Sequence, residues 1–534
     1  MTTLTRAAEP FKGQGEMHPS RWGDPARATA LPDAARGLIE MVFGLDERPA
    51  LEDVALPPAA IDPALLDELA GTLGAEHVLT DDVTRRLRTR GKSTPDLLRQ
   101  RTGDLSDAPD AVVRPAHHDD VAAVLAWAVR HRVAVVPFGG GTSVTGGLAA
   151  RRDGFAGLVS LDLIGMKRLL EVDHTSMTAT LEPGLRGPEA EALLAAQGLT
   201  LGHYPQSFEY ASIGGFAATR SSGQSSAGYG RFDALVVGLR VATPSGEVSL
   251  GSAPANAAGP DLRQLFLGSE GAFGVITAVT VRVRKVPARK LYEGWRWPSF
   301  VDGAAAMRTL AQAGLLPTVI RLSDESETAI NLARPQEIGG ASSGGCMMIT
   351  GYEGDPEAVA AKRAAVTAVL AGLGGESLGE DPGASWVKGR FDAPYLRDSL
   401  LDVGVLVETL ETATFWSGMD ALYAGVKAAL TDSLGEGTMV LCHISHVYET
   451  GASLYFTVAA KAGGDPLAQW QVAKTAASDA MIDAGATITH HHAVGTDHKP
   501  WLAREIGPVG VQALRAVKDS LDPTGVLNPG VLIP

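Results

Sequence analysis

Three consecutive histidines, His490, His491 and His492, form the densest run of proton-handling side chains in the sequence. Imidazole titrates near neutral pH, so the run offers acid–base work or contact with an anion. Read as extended chain at a strand end, His490 and His492 share one face and His491 looks the other way. Adjacent residues do not easily give three ligands to one tetrahedral ion, and Cys442, His443 and His446 complete no standard metal spacing, so no metal is expected. Tyr455 lies in the strand-like Gly451-Ala-Ser-Leu-Tyr-Phe456. A phenol is a poor base unless cations lower its pKa; the histidines and an arginine are the candidates, and a core-anchoring tyrosine is the alternative. Arg321 and Arg397 carry the forked, permanent charge that suits phosphate and ketone oxygens. Each also has acids beside it, Asp324 and Glu325 for Arg321 and Asp398 for Arg397, so from the residues alone an ion pair is the plainer reading. His203 is a further candidate for substrate contact, with a core role as its alternative.

These side chains need elements to position them. Residues 134–138 read as an apolar strand that breaks into Gly139-Gly-Gly-Thr-Ser-Val-Thr-Gly-Gly147. Backbone N–H groups converging in such a turn bind anions, because no Cβ blocks close approach. Thr142 and Ser143 add hydroxyls, which makes a pyrophosphate a natural guest. The loop does not open a helix as a Rossmann turn does, and no Lys-Ser/Thr follows as in a Walker loop. Around it, 119–131 reads as a helix capped by Asp119, 158–161 and 169–181 as short strands, and 188–197 as a helix closed by Gly198. Strands are expected at 235–243, 247–250 and 275–283, with helices at 357–373 and 509–521.

At 534 residues the chain has room for two or three domains. A net charge of −15 argues against nucleic acid as a partner. Two cysteines give no disulfide framework. The first thirty residues lack the apolar core of a signal peptide, the final Leu-Ile-Pro is no peroxisomal address, and no apolar run reaches bilayer length. A cytoplasmic location is expected, with room for a peripheral membrane contact.

Three further segments accompany the glycine loop: Pro205-Gln-Ser-Phe-Glu-Tyr-Ala-Ser-Ile-Gly-Gly215 running on to Ala218-Thr-Arg-Ser-Ser-Gly-Gln224, Phe266-Leu-Gly-Ser-Glu-Gly-Ala-Phe-Gly-Val-Ile276, and Leu521-Asp-Pro-Thr-Gly-Val-Leu-Asn-Pro-Gly530. In this order the set resembles the flavin-binding domain of the vanillyl-alcohol-oxidase and p-cresol-methylhydroxylase superfamily. Within it, Gly202-His-Tyr-Pro205, Ile320-Arg-Leu322, Tyr395-Leu-Arg-Asp398, Leu454-Tyr-Phe456 and His490-His-His-Ala-Val-Gly495 are similar to the alkyldihydroxyacetonephosphate synthases, from about Met17 onward. A plain 2-hydroxy-acid dehydrogenase would show one or two histidines before its glycine.

The resemblance implies an α+β architecture: a helical N-terminal region at 1–112, a two-subdomain FAD-binding unit at 113–287, an α+β cap at 288–485, and a C-terminal segment at 486–534 that returns to the flavin. It implies FAD contacts from Pro137, Phe138, Gly139, Gly140, Gly141, Thr142 and Ser143 in the first loop. The second segment contributes Gln206, Ser207, Phe208, Glu209, Tyr210, Ala211, Ser212, Thr219, Arg220, Ser221 and Ser222, and the third Glu270, Gly271, Ala272, Phe273, Gly274, Val275 and Ile276. Arg220 reads equally as a phosphate partner or an ion-pair member. The first loop holds neither His nor Cys, so dissociable, non-covalent FAD is expected. By the same resemblance Tyr455, Arg321 and the three histidines are catalytic, and Arg397 binds substrate. The implied reaction exchanges the acyl group of acyl-dihydroxyacetone phosphate for a fatty alcohol through a flavin N5 adduct, with no net redox, and the implied partners are a lipid substrate and a second copy in a homodimer. An FAD-linked dehydrogenase of a 2-hydroxy acid or alcohol is the alternative, since it too would use arginine and histidine. Ala493 stands where the family typically has glycine, Ala211 replaces a hydroxyl residue, and Thr496-Asp-His-Lys499 is less basic than in the animal enzymes.

Overall fold

The computed structural model describes residues 2–3, 15–28, 31–149, 151–330 and 344–534. Its first unit gathers around a four-stranded sheet in which Ala111–Val113, Gly157–Asp162 and Val133–Phe138 run parallel, with Val78–Leu79 antiparallel at one edge. The central strands are buried on both faces, as parallel strands usually are. The helix His118–His131 covers one face with Val121, Val124, Leu125 and Ala128. Its N-cap is His117, two residues ahead of the expected Asp119, and the Asp120 carboxylate reaches back to the amides of Ala116 and His117. The C-terminal tail completes this sheet: Val526 and Asn528 bracket Val135 in parallel register.

A second, antiparallel sheet runs Thr2–Thr3, Leu169–Asp173, Thr178–Leu181, Val275–Arg282, Val236–Thr243 and Gly246–Leu250. The helices Gly187–Ala195 and Ile213–Thr219 bury Leu194, Ile213 and Phe216 in the core beside it. The two sheets meet at the glycine-rich turns, because each delivers a strand end to that point.

The third sheet has seven antiparallel strands, ordered Glu376–Gly379, Arg289–Trp297, Cys346–Gly354, Val319–Ser323, Met439–Ile444, Gly451–Lys461 and Val405–Phe415. Strand residues alternate faces, and here the alternation divides labour. Leu322, Leu406, Leu410, Cys442, Leu454 and Phe456 pack with the helices Phe300–Gln312, Pro356–Gly372, Met419–Leu434 and Pro466–Asp483. Their neighbours Arg321, Val407, Thr409, Leu441, His443 and Tyr455 line a cavity on the other face.

The expected strand end at His490–His492 is instead an irregular turn, outside any strand. The last helix begins ten residues earlier than its expected start, spanning Lys499–Leu521, with a break at Gly507 (φ 70°) where Pro508 removes a backbone donor. Among the described residues no helix is long and apolar enough to cross a membrane.

Candidate active site

A cavity of about 900 Å3 lies between the glycine turns and the seven-stranded sheet. Its floor is the first loop. Gly140 lies against the second segment so closely that a Cβ there would stand 2.7 Å from Ala211 Cα and 2.8 Å from the Tyr210 carbonyl carbon. Ser212 caps the helix Ile213–Thr219 by accepting from the Gly215 amide at 3.2 Å. Lys92 ties the loop to the opposite wall. Its amide donates to Ser143 O at 2.6 Å, and its carbonyl accepts from Arg397 Nη1 at 2.7 Å. The Lys92 ammonium is spent on the His18 and Pro19 carbonyls, and burial pushes its pKa down to about 7.

Of the expected flavin contacts, Pro137–Ser143 line the cavity, as do Gln206, Ser207, Ala211, Ser212, Thr219, Ser221, Ser222, Glu270, Gly271, Gly274, Val275 and Ile276. The others point elsewhere. Phe208 stacks on Phe391, Glu209 pairs with Arg27 at 2.9 Å, and Tyr210 packs with Met17, Trp22 and Tyr395. Ala272 and Phe273 are buried in the core beside the six-stranded sheet. Arg220 is not among the cavity-lining residues; its guanidinium donates to Leu267 O, Gln264 O and Gln264 Oε1. Burial also separates His203 from the cavity. Its Nε2 meets Ser221 Oγ at 3.1 Å, its ring packs on Phe216 and Phe232, and burial pushes its pKa down to about 3.

Cross-strand register sets the reacting wall. Tyr455 stands directly opposite Glu411 on one side and His443 on the other, and Ser323 follows His443. The rings of Tyr455 and His443 stack at 4.7 Å. Arg321 donates to Glu327 Oε1 and meets His443 Nδ1 at 2.9 Å, while His443 Nδ1 lies 3.1 Å from Glu327 Oε2. The expected partners of Arg321 are engaged elsewhere: Asp324 takes Lys427 and the Tyr423 hydroxyl, and Glu325 takes the Phe300 amide. Burial opposes ionisation of Glu327, but His443 and Arg321 outweigh it and hold its pKa at about 2. His443 is itself pushed down by burial and by Arg321, so near pH 7 the charge balancing Glu327 resides on Arg321.

Arg397, in the helix Ala393–Asp402, reaches the cavity from the other side. Asp398 Oδ1 stands 3.9 Å from its Nε, an ion pair too long to be a hydrogen bond, while Asp398 Oδ2 takes the Trp22 amide. Arg397 Nε and Nη2 are buried with no hydrogen-bond partner among the described residues.

The histidine turn closes the polar end. His491 and His492 line the cavity, whereas His490 turns away to bond Tyr448 at 2.6 Å. Burial holds His490 well below its ordinary pKa and His492 at about 3, so both are neutral imidazoles. Burial outweighs the nearby Arg397 cation and pushes the Tyr455 phenol up to about 12. Ligand atoms of His446, His490 and His491 come within 4.8 Å of one another. Of their nitrogens, His490 Nε2 is taken by the Tyr448 hydroxyl and His446 Nδ1 by Ser222 and Ser226, while His490 Nδ1 lies 3.0 Å from His491 Nδ1. Glu411, Glu327 and Lys92 are not singled out by the sequence, and His443 is weighed there only as a metal ligand; strand register was the signal needed for Glu411 and His443, whereas Glu327 lies in the helix Glu325–Ile330.

Beyond Tyr455 the cavity turns apolar. Leu38, Ile39 and Phe43 of the helix Asp33–Phe43 face Leu400, Val405 and Met439 across it.

The chain matches the FAD binding domain family over residues 109–251 and the family of FAD linked oxidases, C-terminal domain, over 286–532. FAD is the cofactor. The alkyldihydroxyacetonephosphate synthase of Trypanosoma brucei brucei is 34% identical over 92% of this chain and 84% of its own length. A solved alkyldihydroxyacetonephosphate synthase superposes with a TM-score of 0.82 at 29% identity, covering 96% of this chain and 98% of the other. A p-cresol methylhydroxylase structure shares the fold, with a TM-score of 0.70 at 16% identity over 89% of this chain and 98% of that one. FAD-linked oxidoreductases and dehydrogenases also match, at 26–28% identity. The chain belongs to the alkyldihydroxyacetonephosphate synthase family.

Proposed function

We propose that the protein exchanges the acyl group of an acyl-dihydroxyacetone phosphate for a fatty alcohol, forming an ether bond. The observation that carries this reading is one cavity lined both by the buried Arg397, whose Nε and Nη2 make no hydrogen bond among the described residues, and by apolar side chains such as Leu38, Ile39 and Leu400. A small hydroxy acid needs the cation but not the apolar lining.

The residues fit FAD. The backbone at Gly139 and Gly140 leaves no room for side chains against the Tyr210–Ser212 segment, and Thr142, Ser143 and Ser207 line the cavity with hydroxyls that add no charge. When bound, FAD supplies a reactive ring nitrogen at which the exchange proceeds without net redox. The chain's own residues do the rest. Arg397 offers two free N–H directions to a phosphate, and its fork is fixed by the bond to Lys92 O. Arg321, held by Glu327 and His443, is a second cation for a developing oxyanion at the ketone. The exchange releases a fatty acid and admits an alcohol whose hydroxyl proton must leave. Tyr455 rests as a neutral phenol and donates a hydrogen bond, while His491, facing the cavity, receives that proton. The passage between the helix Asp33–Phe43 and the sheet holds the chains away from water. The helix Asp33–Phe43 suits a peripheral lipid contact, since it also carries the exposed Met41 and Val42. Flotation with lipid vesicles should carry the protein upward, and recovery in the bottom fraction removes that contact.

Palmitoyl-dihydroxyacetone phosphate and hexadecanol, incubated anaerobically with the flavin-loaded protein, should yield the alkyl ether and palmitate in equal amounts with no bleaching of the flavin. Rapid bleaching by D-lactate or another hydroxy acid, with no ether formed, overturns the reading in favour of a dehydrogenase.

A further inference from the structure

Glu411 is a buried carboxylate in the row of residues that carries Tyr455, yet it does not face the cavity. The histidine turn folds over it. Glu411 accepts the amide of His490 at 2.7 Å, of His491 at 3.0 Å and of His492 at 2.8 Å, together with the Thr489 hydroxyl. Among the described residues the His490 and His491 amides have no other acceptor, and His492 has only Thr489 Oγ1 at 3.2 Å besides, so the carboxylate satisfies donors that would otherwise be left largely unpaired. Glu270 acts at the other end of the turn, accepting the amides of Val494 at 3.1 Å and Gly495 at 2.9 Å.

The same carboxylate meets the side chain of His491: Oε2 lies 3.3 Å from Nδ1. His490 Nδ1 is 3.0 Å from that nitrogen, and His490 Nε2 is engaged by the Tyr448 hydroxyl. This network directs the Nδ1–H of His491 inward and leaves its Nε2 as the free acceptor, the arrangement by which a carboxylate orients a working imidazole. Around the pair stand His492 and His446, Tyr455 and Glu408 from the sheet, Lys474 from the helix Pro466–Asp483, and Arg231, whose Nη1 holds His490 O at 2.9 Å.

We infer that Glu411 is the positioning residue of the reaction centre: it folds the Thr489–His492 turn on its four donors and fixes the His491 ring with Nε2 toward the cavity. The inference rests on His491 taking part in the proposed reaction. A double-mutant cycle on the flavin-loaded protein tests it, with turnover, KM and bound flavin read for each variant. Glu411→Gln should keep its flavin and its KM within about twofold while kcat falls about 10- to 100-fold. In a His491→Ala background the same substitution should add almost nothing, since groups acting as one unit are non-additive. Where Glu411→Gln does not fold, Thr489→Val takes its place, with a several-fold loss expected alone and none beside His491→Ala. A normal kcat in Glu411→Gln, or an equal loss in both backgrounds, overturns the inference while the proposed function stands. Normal turnover of His491→Ala removes the histidine from the reaction, and the inference with it.

Discussion

Gly140→Ala isolates the contact on which the flavin floor depends. The added methyl would meet the Tyr210 carbonyl and Ala211 Cα, backbone atoms that have no rotamer by which to retreat. Ordinary carbon contacts begin near 3.5 Å, so the two loops must part by most of an ångström. Overpacking of this kind costs about 1–3 kcal/mol. Expressed in cofactor binding, that is about 5- to 150-fold weaker FAD. Apoprotein titrated with FAD, followed by flavin fluorescence, reads the loss directly. Gly71→Ala is the matched control: it lies within the helix Pro63–Leu73 with nothing within 4 Å of the new methyl. It should leave FAD affinity alone and raise stability by up to about 1 kcal/mol. Wild-type FAD affinity in Gly140→Ala would refute the reasoning, because the loops would then have slack that the structure does not show.

Arg397→Lys keeps the charge but loses the fork and the bond to Lys92 O, so KM for the phosphate-bearing substrate should rise and kcat/KM fall about 10- to 100-fold; unchanged steady-state kinetics would free Arg397 of that role. Tyr455→Phe should retain flavin and lose most turnover, and normal turnover removes the phenol from the reaction. Glu327 links stability to acid: its folded pKa of about 2 lies below its ordinary value, so its contribution is present above about pH 4.5 and disappears as pH falls toward 2. Urea midpoints of wild type and Glu327→Gln should differ by at most about 3 kcal/mol in unfolding free energy at pH 7 and converge toward pH 3; a difference independent of pH would discard this linkage.

The α+β class and the FAD cofactor were readable because they rest on local signals: glycines where backbone must approach backbone, and apolar runs with a clear period. Arg321, Arg397 and Tyr455 are nameable only through the resemblance of the short segments that hold them; from the residues alone an ion pair is the plainer reading for the arginines and a core tyrosine stays open for Tyr455. What escaped was non-local. Glu327 and Glu411 look like ordinary strand and helix acids, and only the pairing of Tyr455 with Glu411 and His443 shows what they hold. The histidine turn was misread as extended chain because its shape is imposed by a carboxylate about eighty residues away in sequence. The expected lowering of the Tyr455 pKa fails because burial outweighs the Arg397 cation beside it, and burial also keeps His490 and His492 neutral. Ala493, buried at φ 72°, adopts the left-handed conformation that explains why glycine suits that position.

The alternation along Gly451–Lys461 also works as a quality check on each newly made molecule. A slip of one residue would turn Tyr455 into the helices and present Leu454 or Phe456 to the substrate, stranding a phenol in oil and a hydrocarbon at the reaction centre. Misregistered copies are therefore both unstable and inert, and none lingers as a half-competent catalyst. Specific activity in a preparation then counts correctly assembled molecules, and losses on heating or storage should track unfolded material one for one.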